Sequence, residues 1–392
     1  MPGLRNGLSM EYSGLQRPRA TLACNLDTNL LRAAHPLLTA GQVEALEWSF
    51  DALFSFPEIP DWFTALIQAY SEEGRLVGHG VFFSLFSGRW SAEQQQWLDR
   101  LKALSEVYRF DHVTEHFGFM TGADFHKGAP LGIPFTPQTL QLGRDRLQRI
   151  SAAAGCPVGL ENLAFAYTLD EVKRHGDFLE QLLEPINGFI ILDLHNLYCQ
   201  LHNFRQSAEE LLRLMPLHRV REIHLSGGSW EPAAGQRNRQ IRRDTHDGTV
   251  PQAVFDLLEK ALPKCPNLKY VVLEQLGGAL ETPEQQRAFQ ADFRTMHGIL
   301  KRQNHSGKTS APANDFQPPA FTPSATPRSD EALHQQQQAL SEILENAASL
   351  RDARTQLSAS PLAETAWNVE NWEDDMLETA RRIAQKWKGG WG

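Results

Sequence analysis

The feature that most constrains the fold is a strand–helix pattern that repeats eight times between residues 19 and 301. Each unit is a short apolar run, typical of a buried strand, followed by apolar residues at helical spacing. Eight such units predict an α/β protein with a (β/α)8 TIM barrel. An open doubly wound sheet is the alternative, but it usually has a glycine-rich turn after its first strand, which is absent here. The predicted strands are Arg19–Asn25, Val43–Trp48, Arg75–His79, Asp111–Glu115, Val158–Glu161, Phe189–Asp193, Val220–Leu225 and Tyr270–Glu274.

The segments between the strands predict one helix for each unit. A long Gly- and Pro-rich loop, Gly118–Pro134, interrupts the pattern, and its length suggests a lid or a substrate wall. The predicted helices are Asn29–Leu38, Pro60–Ser71, Ser91–Val107, Phe135–Ala154, Thr168–Leu183, Ser207–Leu214, Pro251–Leu262 and Pro283–Lys301.

Composition divides the chain into three parts. Residues 1–302 hold the barrel, and residues 303–330 are polar and proline-rich, which predicts a flexible linker. Residues 331–392 predict a helical C-terminal extension, with one helix over 331–357 and a last helix capped by Asn371. The last helix has a tryptophan-rich apolar stripe. We expect this stripe to cover the barrel; a partner surface is the alternative.

Charge and cysteine usage restrict the class of protein. The net charge of −9 argues against nucleic acid or an anionic membrane as the main partner. Four scattered cysteines indicate reduced thiols rather than a disulfide framework. No apolar run approaches the roughly 20 residues of a membrane span, and no signal peptide is evident. We therefore expect a cytoplasmic protein.

Seven of the eight predicted strands end at or near a side chain that can bind a metal. In a (β/α)8 barrel these ends form one rim, where active sites lie. One ion needs about four to six ligands, so eight candidates predict two or three ions. Imidazole and carboxylate without thiolate suit iron, manganese or zinc. Spacing alone leaves hydrolysis, isomerisation and oxygen chemistry open. The candidates are His79, His116, Glu161, Asp193, His224, Asp244, His246 and Glu274.

Several of these residues lie in motifs that resemble a known family. The motifs are G-H-G-V-F-F-S-L (78–85), T-E-H-F-G-F (114–119), L-E-N-L (160–163), L-D-L-H-N-L (192–197), E-I-H-L-S-G (222–227), D-T-H-D-G-T-V-P (244–251) and V-V-L-E (271–274). In this order they resemble the multinuclear non-haem iron-dependent oxidative enzymes. That family includes the iron enzyme of methanobactin biosynthesis and the enzyme that excises the β-carbon of a peptide cysteine. The resemblance covers about residues 20–300.

The resemblance implies a xylose-isomerase-like barrel that holds two or three irons and uses dioxygen to modify a ribosomally made precursor peptide. Cysteine is the expected target. The eight candidates match the family's metal-ligand positions, with Asn196 as a ninth ligand and Asn162 as a ligand or an orienting group. The resemblance also implies a separate protein that recognises the leader peptide and forms a heterodimer with the enzyme. Residues 331–392 are expected to help form the surface for that partner or for the peptide.

The sequence departs from the family pattern at three places. Glu47 stands alone where a Glu-Asn pair is usual after the second strand. His195 replaces a commoner asparagine, and the turn after His224 reads S-G-G, without a further histidine. These departures affect the number of ligands rather than the existence of a site.

Two other classes of function remain as alternatives. A zinc- or manganese-dependent hydrolase or sugar isomerase on the same barrel would also place His, Glu and Asp at the strand ends. No lysine lies at a predicted strand end, which counts against an isomerase. A metal-storage or scaffold protein would bind the irons without consuming dioxygen.

Overall fold

A closed barrel of eight parallel strands forms the centre of the molecule, as predicted. The computed structural model describes residues 17–54, 56, 58–122, 128–234, 238–304 and 313–389. The barrel strands are β1 (Arg19–Cys24), β2 (Ala45–Trp48), β3 (Leu76–Gly80), β4 (Phe110–His116), β7 (Val158–Glu161), β8 (Phe189–Asp193), β9 (Val220–Leu225) and β12 (Tyr270–Leu273). They pair in chain order, and β12 closes the barrel by pairing with β1. The predicted bounds of β7, β8 and β9 are confirmed, whereas the others shift by one or two residues.

Two short hairpins lie in the loops on the C-terminal rim. The loop after β4 was predicted to lack regular structure. It contains β5 (Phe119–Met120) paired with β6 (Pro130–Leu131), and residues 123–127 of it lie outside the described residues. The loop after β9 contains β10 (Trp230–Pro232) paired with β11 (Gln240–Arg242). Both hairpins extend the rim above the strand ends.

Nine helices belong to the described barrel segment rather than the eight that were predicted. They are α1 (Thr28–Thr39), α2 (Asp61–Glu72), α3 (Ala92–Val107), α4 (Pro137–Ala154), α5 (Leu169–Leu183), α6 (Leu194–Asn203), α7 (Ala208–Leu214), α8 (Gln252–Ala261) and α9 (Pro283–Asn304). The sequence placed a single helix after β8, at Ser207–Leu214, and missed α6. Asp193 caps α6 directly at the strand end, because its Oδ1 accepts a hydrogen bond from Asn196 N.

The segment predicted to be a flexible linker lies against the barrel over its described residues, 313–330. These residues have no helix or strand. Phe316 is nevertheless 1% exposed, and the Asn314 side chain exchanges hydrogen bonds of 2.9 and 3.2 Å with Asn187. Farther along, Arg146 Nη2 donates to Arg328 O over 2.7 Å. Proline keeps the segment extended, but backbone and aromatic contacts hold it to the surface.

The C-terminal extension contains three helices: α10 (Glu331–Asn346), α11 (Leu350–Ser358) and α12 (Asp374–Trp387). The single helix predicted over 331–357 is wrong, because Ser349 caps a new helix by accepting from Asp352 N. The predicted cap Asn371 is also wrong, since it ends a short 3-10 turn and α12 begins three residues later. Within the described ranges, no helix has both the length and the apolar character needed to cross a bilayer.

The extension packs on the C-terminal rim. Trp372 stacks on Tyr167 of the loop after β7, with ring centroids 3.6 Å apart. Trp367 meets Phe119 of β5 edge-on at 5.9 Å. Arg239, just before β11, forms an ion pair with Asp375. Trp372 of the predicted stripe therefore contacts the barrel at the end where the candidate ligands lie, whereas α12 itself packs mainly on α10 and α11 of the extension.

Candidate metal centre

The structure brings the nine predicted residues together at this rim. Those in strands or directly after them project into the mouth of the barrel, because alternate residues of each strand face inwards. Asn196 lies in the first turn of α6, and Asp244 and His246 follow β11. Three groups of potential ligand atoms lie within 4.8 Å of one another: His79–His116–Glu161, Glu161–Asp193–His224 and Glu47–Glu222–His224.

The first group has two histidines whose free ring nitrogens face one carboxylate. The Nε2 atoms of His79 and His116 lie 3.5 and 3.4 Å from Glu161 Oε2. The Thr114 hydroxyl donates to Gly78 O, so its oxygen accepts from His79 Nδ1 over 2.9 Å. His116 Nδ1 donates to Gly80 O over 3.2 Å. Both protons are therefore on Nδ1, and both Nε2 lone pairs are available to a cation between them and Glu161.

The second group contains buried oxygen atoms that lack hydrogen-bond partners. Asn196 donates from its backbone to Asp193 Oδ1 over 2.5 Å and from its side chain to Glu161 Oε1 over 3.1 Å. The opposite atoms, Asp193 Oδ2 and Asn196 Oδ1, are buried and have no hydrogen-bond partner among the described residues. Leaving such atoms unpaired costs about 1–3 kcal/mol each, and a cation would satisfy them. These residues therefore fit a metal ion.

His224 connects the centre to a third group deeper in the barrel. Its Nε2 lies 2.9 Å from Glu222 Oε1 and 3.0 Å from Glu47 Oε2. Its Nδ1 lies 3.3 Å from Glu274 Oε2. From the sequence, Glu47 was noted only as standing alone near the end of the second strand, and Glu222 was not predicted as a candidate. The alternation of strand residues was the signal for Glu222, because it precedes His224 by two positions and must face the same way.

On the opposite side of the mouth, carboxylates and imidazoles are paired with one another. His246 Nε2 lies 3.0 Å from Asp244, and its Nδ1 lies 3.5 Å from Glu274 Oε1. His246 has φ of +53°, a conformation that few residues other than glycine adopt. Backbone strain of this kind concentrates at functional sites.

His195, one of the departures from the family pattern, orients Asp244. Arg242 Nε donates to His195 Nε2 over 3.0 Å, and a guanidinium can only donate. The His195 proton must therefore be on Nδ1, which donates to Asp244 Oδ1 over 2.9 Å. With both nitrogens engaged, His195 acts as a support for Asp244 rather than as a further ligand.

The missing histidine in the S-G-G turn has a steric explanation. A Cβ atom on Gly228 would collide with Arg243 O and lie 2.8 Å from His195 Cε1. A larger residue therefore does not fit beside His195. In the same turn, Ser226 Oγ donates to Asp244 Oδ1 over 3.4 Å.

The pKa values at the centre differ between its two sides. Burial lowers the pKa of His116 to about 4 and that of His79 well below its usual value, so both rings are neutral at pH 7. Burial raises the pKa of Glu161 well above its usual value and that of Asp193 to about 7. Neighbouring negative charges add to both shifts. Without a cation, burial favours the protonated form of carboxyl groups at a metal site, because no positive charge compensates the carboxylate.

The paired side behaves in the opposite way. Burial would raise the pKa of Asp244, but the charges and hydrogen bonds of His246 and His195 outweigh it and hold that pKa far below its usual value. Burial likewise opposes the charge on His246, yet Asp244 and Glu274 raise its pKa well above the usual value. His224 also has a raised pKa, since Glu47, Glu222 and Glu274 overcome its burial.

Comparison with known proteins identifies the family. Residues 56–283 match the family described as RiPP precursor modification enzyme MbnB/TglH/ChrH. This chain belongs to that family. The match covers more than half of the chain and includes every predicted ligand, which confirms the resemblance found in the sequence.

Curated relatives include UPF0276 proteins from Shewanella oneidensis and Caulobacter vibrioides. The Shewanella protein is 25% identical over 189 residues, which are 48% of this chain and 64% of the relative. The Caulobacter protein is 28% identical over 205 residues, or 50% of this chain and 67% of the relative. The matched region therefore spans about two thirds of these relatives.

Solved structures with similar folds have low identity to this chain. A xylose isomerase-like TIM barrel/4-hydroxyphenylpyruvate dioxygenase fusion protein has a TM-score of 0.46 and 16% identity, and the match covers 78% of this chain and 46% of that one. An L-ribulose 3-epimerase has a TM-score of 0.45 and 10% identity, with 75% and 100% covered.

Proposed function

We propose that this protein is a multinuclear non-haem iron enzyme that uses dioxygen to oxidise a residue, cysteine being the expected one, of a ribosomally made precursor peptide. The observation that carries the proposal is the sharing of ligands. Glu161 belongs to two of the three groups of potential ligands, and His224 also belongs to two. Groups joined in this way suit several neighbouring ions better than one isolated ion.

The donor set supports iron. The three groups contain imidazole and carboxylate donors only, a combination that suits non-haem iron and leaves coordination positions open for substrate and oxygen. When bound, the irons would supply the redox chemistry with dioxygen. In this proposal His79, His116, Glu161, Asp193, Asn196, His224, Asp244, His246 and Glu274 hold them.

The chain's own residues position these ligands and exclude water. Glu161 would help to hold the ions of both groups to which it belongs; its Oε2 faces His79 and His116, and its Oε1 is oriented by a hydrogen bond from Asn196 Nδ2. Thr114 and the Gly80 carbonyl fix the ring orientations of the two histidines. His79, Asp193 and His224 are at most 1% exposed, whereas His116, Asp244 and His246 are partly exposed at the mouth. Such burial would keep reactive species away from bulk water.

Family membership supports a peptide substrate. A peptide cysteine would bring a thiolate, which is a strong ligand for iron and would place its own carbon atoms beside the metals. A separate protein that recognises the leader peptide is part of the proposal, and the extension on the rim is near enough to the centre to contact either molecule.

The test begins with protein purified without oxygen, whose metal content and Mössbauer spectrum are measured. We expect about two or three irons per chain. Precursor peptide and oxygen should then give a mass change in the peptide and consumption of oxygen. Glu161→Gln should lose iron and activity together. Glu259→Gln is the matched control, since Glu259 is an exposed residue of α8 paired with Arg302. Zinc or manganese in place of iron, with no requirement for oxygen, would overturn the proposal in favour of the hydrolase or isomerase alternative.

A further inference from the structure

A cavity of about 270 Å³ lies between the barrel rim and the C-terminal extension. Its walls come from the loops that follow β4, β6 and β7, from the first turns of α5, and from Gln200 of α6. Ala366 and Asn368 of the extension complete it. These two residues lie outside the segment 56–283 that matches the family. Part of the wall therefore comes from outside the matched segment.

Four phenylalanines, Phe117, Phe135, Phe165 and Phe178, belong to the apolar part of the wall, and polar residues form the rest. Phe135 and Phe178 stack with centroids 4.3 Å apart, and Phe117 meets Phe178 edge-on at 5.1 Å. Phe165 and Ile133 add further apolar surface. Burial of an apolar group from water against such a surface is favourable.

The polar groups in the wall already have partners in the protein. Glu171 Oε2 accepts from Tyr167 N over 2.7 Å, and His175 Nε2 accepts from Leu163 N over 3.4 Å. Gln200 Nε2 donates to Leu163 O over 2.7 Å. A charged group that entered the cavity would lose its hydration without gaining a free hydrogen-bond partner among these three groups, which is unfavourable. Asp170 and Arg174 also line the cavity; they pair with each other, and their side chains are 77% and 54% exposed to solvent.

The cavity adjoins the metal centre along three segments of the chain. Phe117 follows the candidate ligand His116, and Leu163 comes two residues after Glu161. Gln200 lies one helical turn beyond Asn196 on α6, so the two side chains are on the same face of that helix. These three segments connect the cavity wall to the candidate ligands along the chain.

We propose that this cavity binds an apolar side chain, preferentially an aromatic one, of the precursor peptide next to the residue that is modified. The proposal rests on the proposed function for the identity of the peptide. A cavity of about 150 Å³ is large enough for benzene, so the volume here accommodates a phenyl ring with part of its backbone. The extension, by closing one wall, would make the choice of peptide particular to this chain.

Gly132 provides a direct test. A Cβ on Gly132 would have only Leu163 Cδ1 near it, at 4.0 Å, so a larger side chain would grow into the cavity without backbone strain. Gly132→Phe should fill the cavity. Gly298→Phe is the control, because Gly298 lies on α9 outside the cavity wall, and an added Cβ there meets only Arg302 Nη1 at 3.8 Å.

The probes are the N-acetyl methylamides of phenylalanine, leucine, lysine and aspartate, titrated into the full chain and followed by ligand-observed NMR. We expect the phenylalanine compound to bind best and the leucine compound next. The affinity for the phenylalanine compound should fall at least about tenfold in Gly132→Phe and stay unchanged in Gly298→Phe. Preference for the lysine or aspartate compound, or equal binding to the two variants, would overturn the proposal.

Two further measurements keep the result unambiguous. If Gly132→Phe does not fold, as judged by circular dichroism, Phe165→Ala replaces it. That change enlarges the cavity, and the N-acetyl methylamide of naphthylalanine is then added to the probes. The preference should shift from phenylalanine towards this larger compound; no shift would overturn the proposal. Binding of these probes requires neither iron nor oxygen. Failure here with normal iron content and oxygen consumption would therefore refute the cavity proposal and leave the proposed function standing.

Discussion

The two sides of the candidate metal centre differ in how their buried carboxyl groups avoid unpaired negative charge. On the Glu161 side, defined by His79, His116, Glu161 and Asp193, the histidines are neutral and burial raises the pKa of both carboxyl groups. On the Asp244 side, defined by Asp244, His246 and Glu274, charged carboxylates pair with a charged imidazole. The Glu161 side therefore needs an external cation, whereas the Asp244 side supplies its own.

This difference implies that metal binding has a different cost on each side. A cation on the Glu161 side displaces protons and satisfies the unpartnered Asp193 Oδ2 and Asn196 Oδ1. A cation on the Asp244 side must also displace the proton of His246 and break its ion pairs. We therefore expect the Glu161 side to bind its metal more tightly.

The largest expected effect is a difference in the free energy of unfolding between Asp193→Asn and Asp244→Asn in metal-free protein. Asp244→Asn leaves His246 and His195 without their charged partner, and breaking a part-buried ion pair of this kind costs about 3 kcal/mol. Asp193→Asn keeps an oxygen that can cap α6 and removes a carboxyl group that burial disfavours, so the free energy of unfolding should change by less than about 1 kcal/mol. Urea unfolding of both variants measures this.

Metal titration of the same two variants adds a second comparison. Asp193→Asn should lower the affinity for the tightest ferrous ion at least about tenfold, while Asp244→Asn should spare that ion and weaken a later one. Equal loss of stability in the two metal-free variants would contradict the proposed difference between the sides.

The next effect is the pH dependence of the metal-free protein. Burial raises the folded-state pKa of Glu47 to about 8 and that of Asp193 to about 7, both above the values of an unfolded chain. The folded protein therefore holds protons that the unfolded chain has released, and stability rises as pH falls from about 8 to about 6.5. Below that range His79 and His116 become protonated in the unfolded chain, whereas their lowered pKa values keep them neutral in the folded protein. This difference favours the unfolded chain and opposes the gain.

The expected gain between pH 8 and pH 6.5 is on the order of 2 kcal/mol, measured by urea unfolding in metal-free buffer. Metal affinity should change in the opposite direction, because ligand carboxylates must lose their protons to bind. Asp193→Asn should reduce the pH dependence. A stability curve that rises with pH over this range would show that the carboxyl groups are not protonated in the folded state.

The sequence was sufficient for the barrel and for the strand-end positions of the candidate ligands. Runs such as F-I-I-L-D and V-R-E-I-H-L identify strands because a buried parallel strand is apolar along its length. A polar residue that ends such a run must lie at the rim, and this placed Asp193 and Glu161. The strands and the polar residues that end them can be identified from the local sequence, without knowledge of contacts between distant residues.

Three features were not predicted, and only the last of them depends on contacts between distant segments. Helix α6 was missed because Asp193 and Asn196 were interpreted only as ligands, although Asp193 also caps the helix. Glu222 was missed because only residues at the strand ends were considered as candidates, and Glu222 lies two residues before His224 within β9. The contacts of residues 313–330 depend on Asn187 and Arg146, which are far away in sequence. Nothing in that segment's own composition indicates them.

The smallest expected effect tests how Asp244 is held. Arg242 fixes the proton of His195 on Nδ1, and its guanidinium lies between the rings of Trp230 and Tyr198, 5.1 and 5.5 Å from their centroids. In Arg242→Gln, a side-chain amide can accept as well as donate, so the His195 proton is free to move to Nε2. Asp244 would then lose its donor, and the affinity of the metal on the Asp244 side should fall about tenfold.

Arg243→Gln is the control for this last experiment. Arg243 Nη1 pairs with Glu231 Oε2 of β10 over 2.8 Å, and no hydrogen bond joins its side chain to His195 among the described residues. The chemical shift of His195 Nδ1 in nitrogen-15 NMR reports the tautomer directly, and should change in Arg242→Gln alone. Metal affinity on the Glu161 side should stay the same in both variants. A change of tautomer without any change in affinity would mean that Asp244 is held by His246 and Ser226 instead, so that the pairing within the Asp244 side, rather than its support from the hairpin, prepares it for a metal.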